Sequence, residues 1–389
     1  MYLDHAEIQH LVQYRNPENP VISLYLNVTP PREFVTELNS LAHVARQKLE
    51  DRRSHSSGQR KELDKLLQRI ESHVYKELRL AKGTRTVALF ADADGLWREY
   101  LLPVSLSSQI VVEPDPYTRP LTMVLDEFER YCVLVADSRK ARIFSLFLGE
   151  MEEHSEIFLE DEVPDRVRVN LSMTGTSTGV KGGLGDERIR RHIEDHVNRH
   201  LKHVADKSFE FIKDKGFTRV ILGSTEERIM PRLRDHLHTY IRERIAGEID
   251  ARPDDHKETL KEKALEMAQE FERQDERDKV NRLLELNSAG DKAVLGLEPT
   301  LEALMMGQVH TLILENDFRA PGYVCPSDHF ISTYLTECPL CGGSMEEFTD
   351  IADEMVEEAV SQSAEVEHVF ADIDGFAPYK MGALLRFLL

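Results

Sequence analysis

Three of the four cysteines lie between Cys325 and Cys341, close enough to hold one metal ion together. The second half of the cluster reads Cys338-Pro-Leu-Cys341-Gly-Gly. This is a C-x2-C turn in which both thiolates can face one ion while backbone N–H groups stabilise their charge. A tetrahedral ion needs four ligands, and Cys325 with His329, spaced C-x3-H, completes a Cys3His set for Zn2+. Asp328 is the alternative fourth ligand. Four protein ligands leave no open position, so such a zinc is structural and not catalytic. The plainer alternative is three free thiols near one another. Cys132, in an apolar run, reads as a small buried hydrophobe.

A second group of candidates surrounds a glycine-rich window, Thr174 to Arg188, with Gly175, Gly179, Gly182, Gly183 and Gly185. So many glycines among small hydroxyl residues predict an extended loop that ends at a helix start. The helix is expected over about 186–213, with Ile189, Ile193, Val197, Leu201, Val204 and Phe211 on one face. The other side gathers Arg188, His192, His196, Arg199 and His203. His192, His196 and His200 have the i, i+4, i+8 spacing of a helical metal site, and a metal-dependent hydrolase is a distant reading of them. Arg188 and Arg199 crowd that side and disfavour a further cation. The preferred reading is a face for backbone phosphate, with Lys181, Arg188, Arg191, His192 and Arg199 as contacts, weighed against an ordinary solvated helix face. No phosphate-loop motif is present, and the glycine window lacks the preceding apolar strand of a dinucleotide site.

The elements that must position these residues fit a chain of 389 residues, enough for two or three domains. The 49 Lys and Arg stand against 70 Asp and Glu, and the net charge of −21 argues against broad nonspecific attraction to nucleic acid, leaving room for a local basic patch. No secretion signal and no apolar run of spanning length are recognised, and the few cysteines suit a reducing cytoplasm. We expect an α/β protein, α+β overall, of three domains. Residues 1–122 form an N-terminal α+β domain with a strand at 21–28, a helical hairpin over 33–80 and a β-hairpin turning at Asp92-Ala-Asp-Gly95. Residues 123–285 form a middle α/β domain with strands at 131–136, 141–148 and 219–222. Its stretch after His236 reads as a charged, solvated helical connector. Residues 286–389 form an α/β sandwich carrying the Cys/His cluster as an insertion.

Three patterns in order resemble the eukaryotic and archaeal class-1 peptide chain release factor and Pelota superfamily, including divergent bacterial members. They are Lys181-Gly-Gly-Leu-Gly-Asp-Glu-Arg188 running into the helix, Gly296-Leu-Glu-Pro-Thr-Leu-Glu-Ala-Leu-Met-Met-Gly-Gln-Val309 before a strand, and Gly382-Ala-Leu-Leu-Arg386. The resemblance implies a three-domain factor that enters the ribosomal A site beside P-site tRNA, delivered by a translational GTPase. The basic helix face then meets rRNA or tRNA phosphate. The family's Gly-Gly-Gln places a water for attack on the peptidyl-tRNA ester; here the candidate loop is Gly182, Gly183, Leu184 and Gly185, with Leu184 at the glutamine's place. The stop-codon motif Asn-Ile-Lys-Ser is likewise replaced at the hairpin tip by Arg52-Arg-Ser-His-Ser-Ser-Gly58. The expectation is therefore A-site occupancy in ribosome rescue, stalling response or hibernation without stop-codon decoding. The alternative is a peptidyl-tRNA hydrolase or release factor that uses the Gly182-Gly183 backbone.

Overall fold

The structure, a computed structural model, describes residues 5–14, 16, 19–29, 34–51, 57–81, 83–158 and 184–388. The chain divides into two compact units, Met1–Phe128 with Arg273–Leu389, and Glu129–Glu272. Among the described residues no helix is long and apolar enough to cross a membrane.

The first unit begins with α1 (His5–Val12), β1 (Val21–Asn27), α2 (Phe34–Asp51), α3 (Ser57–Lys76), β2 (Thr86–Ala91), β3 (Trp97–Leu102), β4 (Gln109–Glu113) and α4 (Arg119–Glu127). The strands pair antiparallel in the order β3-β2-β1-β4. Alternate residues of β1, Ile22, Leu24 and Leu26, join Val87 and Leu89 of β2 under Leu38 of α2 and Leu63, Leu67 and Ile70 of α3. The intervening Tyr25 packs edge-on to Phe90 and Tyr117 on the other face, so the period-2 pattern is read by two cores. The β2–β3 turn closes on Asp92, whose Oδ1 accepts the N–H groups of Asp94, Gly95 and Leu96 at 3.0, 2.8 and 2.7 Å. Its Oδ2 accepts Asn16 Nδ2 at 2.9 Å and the Tyr14 hydroxyl.

The second unit contains β5 (Tyr131–Ala136), β6 (Ala141–Phe147), β7 (Glu150–Glu153), α5 (Leu184–Lys215), β8 (Arg219–Gly223), α6 (Ile229–His236), α7 (Thr239–Arg242), β9 (Ile245–Ile249) and the first half of α8 (Lys257–Ala289). Its sheet runs β7-β6-β5-β8-β9, with β5, β8 and β9 parallel. The six residues of β5 are all buried because both faces are covered, as in parallel sheets generally. Leu201, Val204 and Ile212 of α5 cover one face, and Leu260, Ala264 and Ala268 of α8 the other. The stretch after His236 is therefore no solvated connector. It supplies β9, the edge strand, and a helix buried along one side.

The first unit resumes with the rest of α8, then β10 (Ala293–Leu295), α9 (Leu297–Met305), β11 (Val309–Glu315), β12 (Gly322–Val324), β13 (Ile331–Ser332), β14 (Glu346–Phe348), α10 (Ala352–Ser361), β15 (Glu365–Val369) and β16 (Met381–Leu385). Strands order β10-β16-β11-β15, between α9 and α10 on one face and Val280 and Leu283 of α8 on the other. Gly382 in β16 lets α8 close down: a Cβ there would stand 2.7 Å from Leu283 Cδ2 and 2.8 Å from the Val294 carbonyl oxygen. A separate small sheet, β13-β12-β14, carries the cysteine loops. The mixed α+β architecture matches the expected class.

Burial works to raise the Asp92 carboxyl, but hydrogen bonds from Tyr14, Asn16 and the backbone outweigh it and hold the group below its ordinary value. Asp92→Ala strands those donors and is expected to cost about 3 kcal/mol, taking about 1–3 kcal/mol for a buried group left unpaired. Urea unfolding followed by Trp97, the single tryptophan and part of β3, measures this. A depressed carboxyl stabilises above its unfolded value, so the gap between wild type and variant should shrink as the pH falls below about 4.

Candidate functional site

The cysteines sit on two turns of one design. In the first, Cys325-Pro-Ser-Asp328, the Asp328 N–H points at Cys325 Sγ at 3.4 Å, His329 N–H returns to the Cys325 carbonyl at 3.0 Å, and Cys325 N–H donates to the Phe330 carbonyl at 2.9 Å. In the second, Cys338-Pro-Leu-Cys341, the Leu340 N–H points at Cys338 Sγ at 3.4 Å, Gly342 N–H returns to the Cys338 carbonyl at 2.8 Å, and Cys338 N–H donates to the Gly343 carbonyl at 2.8 Å. The residue after each tetrapeptide turns left-handed, His329 at φ 55° and Gly342 at φ 71°.

This equivalence puts Asp328 at the place that Cys341 holds in the second turn. The two turns bring together the sulfurs of Cys325, Cys338 and Cys341 and a carboxylate oxygen of Asp328, all within 4.8 Å of one another. His329 is outside that set, because it occupies the turn position that glycine holds in the second loop. Cys325 and Cys341 sulfurs are 3.6 Å apart, and Asp328 Oδ2 is 3.8 Å from Cys325 Sγ and 3.4 Å from Cys338 Sγ. Asp328 beside Cys341 pushes that thiol up to about 12. Four anionic donors at one point repel unless a cation joins them, so the group can hold a metal ion. The sequence signal for Asp328 is the repeated Cys-Pro-x-Asp and Cys-Pro-x-Cys, which outranks the C-x3-H spacing.

The glycine-rich segment leads into α5. Lys181, Gly182 and Gly183 lie outside the described residues; of Leu184, Gly185, Arg188 and His192 only the helical backbone is described. Leu184 is the first residue of α5, whose opening turn offers N–H groups with no intrahelical acceptor. Further along, Arg191 and Arg199 are exposed. Arg199 Nη2 is within hydrogen-bonding distance of His196 Nδ1 at 3.3 Å. His200 turns inward, and burial lowers its pKa. His196 and His200 are therefore not equivalent in their surroundings.

Cobalt(II) titration, read by sulfur-to-cobalt charge transfer, distinguishes the two fourth ligands. His329→Gly is expected to keep the spectrum and gain about 1 kcal/mol of stability, because it removes a side chain from a left-handed position. Asp328→Ala should lower cobalt affinity more than about a hundredfold, beyond what loss of an outer-shell partner costs.

Residues 116–269 match the family model described as bacterial archaeo-eukaryotic release factor family 10. No curated protein matches the chain. Among solved structures, the chain is similar to the archaeal translation termination factor aRF1 at 15% identity, covering 99% of each chain with a TM-score of 0.26. It is similar to Dom34 of S. cerevisiae, a translation termination-like factor interacting with Hbs1, at 11% identity over 76% of this chain and 74% of that one, TM-score 0.38. In a model of ribosome-bound archaeal Pelota and ABCE1, the matched chain is 12% identical over 99% of this chain and 94% of that one, TM-score 0.41. The matched span holds β5, the glycine-rich segment, α5 and the parallel strands that carry them. Over that span the chain resembles the bacterial archaeo-eukaryotic release factor family 10.

Proposed function

We propose that the protein is a ribosome-binding translation factor that occupies the A site in ribosome rescue, stalling response or hibernation and does not decode stop codons. The family match over 116–269 carries this reading, since that span includes the glycine-rich segment and the whole of α5. Arg191 and Arg199, exposed on α5, meet rRNA or tRNA phosphate, together with Lys181, Arg188 and His192. Leu184 replaces the glutamine, and leucine can neither donate nor accept a hydrogen bond, so the side chain that would place a hydrolytic water is missing. Binding is the activity. The family resemblance supplies the translational GTPase as delivery partner and the cytoplasm as location. The Gly182-Gly183 pair, which is retained, favours the second reading: a peptidyl-tRNA hydrolase whose backbone amides stabilise the oxyanion.

The metal is proposed to be zinc. A tetrahedral ion with Zn–S of about 2.3 Å and Zn–O of about 2.0 Å sets edges of about 3.8 Å between sulfurs and about 3.5 Å between sulfur and oxygen. The observed 3.6 Å and the 3.8 and 3.4 Å fit those edges. Cys325, Cys338, Cys341 and Asp328 would hold the ion, which would stabilise the fold of the small sheet.

Co-sedimentation with empty and peptidyl-tRNA-loaded ribosomes at two salt concentrations tests the reading, with released peptide scored in the same samples. Binding without release is expected. Arg191→Ala and Arg199→Ala should each weaken binding and reduce the salt slope by about 1. Peptide release that Gly183→Ala abolishes would establish the hydrolase instead.

A further inference from the structure

The second unit carries a run of rings and cations toward the C-terminal end of α5. Phe209 lies about 15 Å further along that helix than Arg199, at 1.5 Å per residue, and is half-buried. The His238 ring stacks on it, with centroids 4.3 Å apart and planes inclined by 28°. Tyr240 meets Phe209 edge-on at 6.2 Å, and the Arg244 guanidinium covers the Tyr240 ring at 3.6 Å. Lys213, one turn beyond Phe209, holds Nζ 5.9 Å from the Phe209 centroid. His238 is the residue before α7, where its Nδ1 accepts the Tyr240 N–H at 3.1 Å and so fixes the ring plane. Although held in this way, His238 is exposed, as are Lys213 and Arg242.

The segment that supplies most of these groups is basic in an acidic chain. Residues 228–244 hold five arginines and two histidines against Asp235 and Glu243, whereas the whole chain has 49 Lys and Arg against 70 Asp and Glu. Two of the arginines are already engaged. Arg234 pairs with Glu248 at 2.9 Å, and Arg244 Nη1 donates to the Tyr240 carbonyl at 2.9 Å. Arg242 donates from Nη2 to Thr239 Oγ1 at 3.2 Å, which leaves the rest of its guanidinium for a ligand. An imidazole backed by a phenyl ring offers its outer face, and nucleobases stack on such faces whatever their sequence. We propose that Phe209, His238 and Tyr240 form a stacking platform for an unpaired base of single-stranded RNA, with Lys213 and Arg242 taking the flanking phosphates. Charge and shape together select this partner. A peptide acidic enough to pair with the cations brings few flat faces to the rings, and a polynucleotide brings an anion and a flat face with every residue. The exposed acids beside these groups in sequence, Glu210, Asp214 and Glu243, work against the phosphates, so binding is strongest where few phosphates and one stacked base suffice. The inference goes beyond A-site occupancy and needs no ribosome for its test.

The test is fluorescence anisotropy of a labelled single-stranded oligouridine titrated with the full chain at several salt concentrations. His238→Asn keeps an acceptor at the start of α7, because asparagine is a good N-cap, and removes the ring. His238→Phe keeps a ring and removes the acceptor. Affinity should fall about tenfold in the first and stay within about twofold of wild type in the second. Lys213→Ala and Arg242→Ala should each reduce the slope of log affinity against log salt by about 0.7, and His238→Asn should leave it unchanged. An abasic oligomer of the same length should bind wild type no better than oligouridine binds His238→Asn. The opposite order of the two His238 variants overturns the platform, since that is what a purely structural cap produces. Equal binding of the abasic oligomer and the oligouridine by wild type also overturns it. So does a salt slope that Arg191→Ala and Arg199→Ala reduce and the other pair does not, which would put the RNA at the other end of α5. Absence of binding by the wild-type chain overturns it as well, and leaves the ribosome reading to be decided by co-sedimentation.

Discussion

The first unit is assembled from both ends of the chain, and the interaction that fastens them is a buried guanidinium. Arg119, at the start of α4, is 5% exposed, and its acceptors come from three places: Asp353 on α10 and the backbone carbonyls of Asn316 and Phe318 after β11. Burying such a charge costs several kcal/mol, which is offset only when the acceptors are already in position. α4 repeats the arrangement along its length. Asp126 accepts the His368 N–H at 2.7 Å, and Glu127 takes Arg273, whose other nitrogen reaches Glu276 at 2.5 Å. Glu276 in turn accepts the N–H groups of Phe370 and Ala371 at 2.7 and 2.6 Å. The charged groups here do not solvate the surface. They specify which C-terminal element each turn of α4 meets.

This explains what the sequence made legible and what it hid. Elements with a single buried face announce themselves: the alternation in β1, the glycine turn after Asp92, and the α5 stripe through Val197, Leu201, Val204 and Phe211. α8 does not, because its halves bury different faces. At roughly 100° per residue, Leu260, Ala264 and Ala268 form one narrow stripe, while Val280 and Leu283 lie more than about 60° further round. No single period survives over the whole helix, and its charged residues then read as a solvated connector. β9 was hidden for a related reason: Ile245-Ala-Gly-Glu-Ile249 is short and carries a glycine, and its place follows from parallel pairing with β8, a non-local contact.

The cysteine turns show a finer limit. Ligand spacing counts residues between donors and is blind to backbone handedness, so C-x3-H was the set expected, with C-x2-D as its alternative. The structure separates them by φ. A tetrapeptide whose N–H groups point at its own sulfur must be followed by a left-handed residue, which places position four on the donors and position five away from them. His329 pays the steric penalty of that turn, and the ring is carried off the site as a result.

On the proposed reading, the same distinction between local geometry and bulk composition governs how an acidic chain can dock on RNA. A net charge of −21 repels a phosphate backbone at long range, and salt screens that repulsion over about 10 Å. Attraction therefore has to come from cations that project beyond their carboxylate neighbours. The exposed cations of α5 include Arg191 and Arg199, with Glu194 and Asp195 between them in the sequence. On that reading the cost of the acidic remainder is a slower encounter, because charge complementarity acts chiefly on the rate of association.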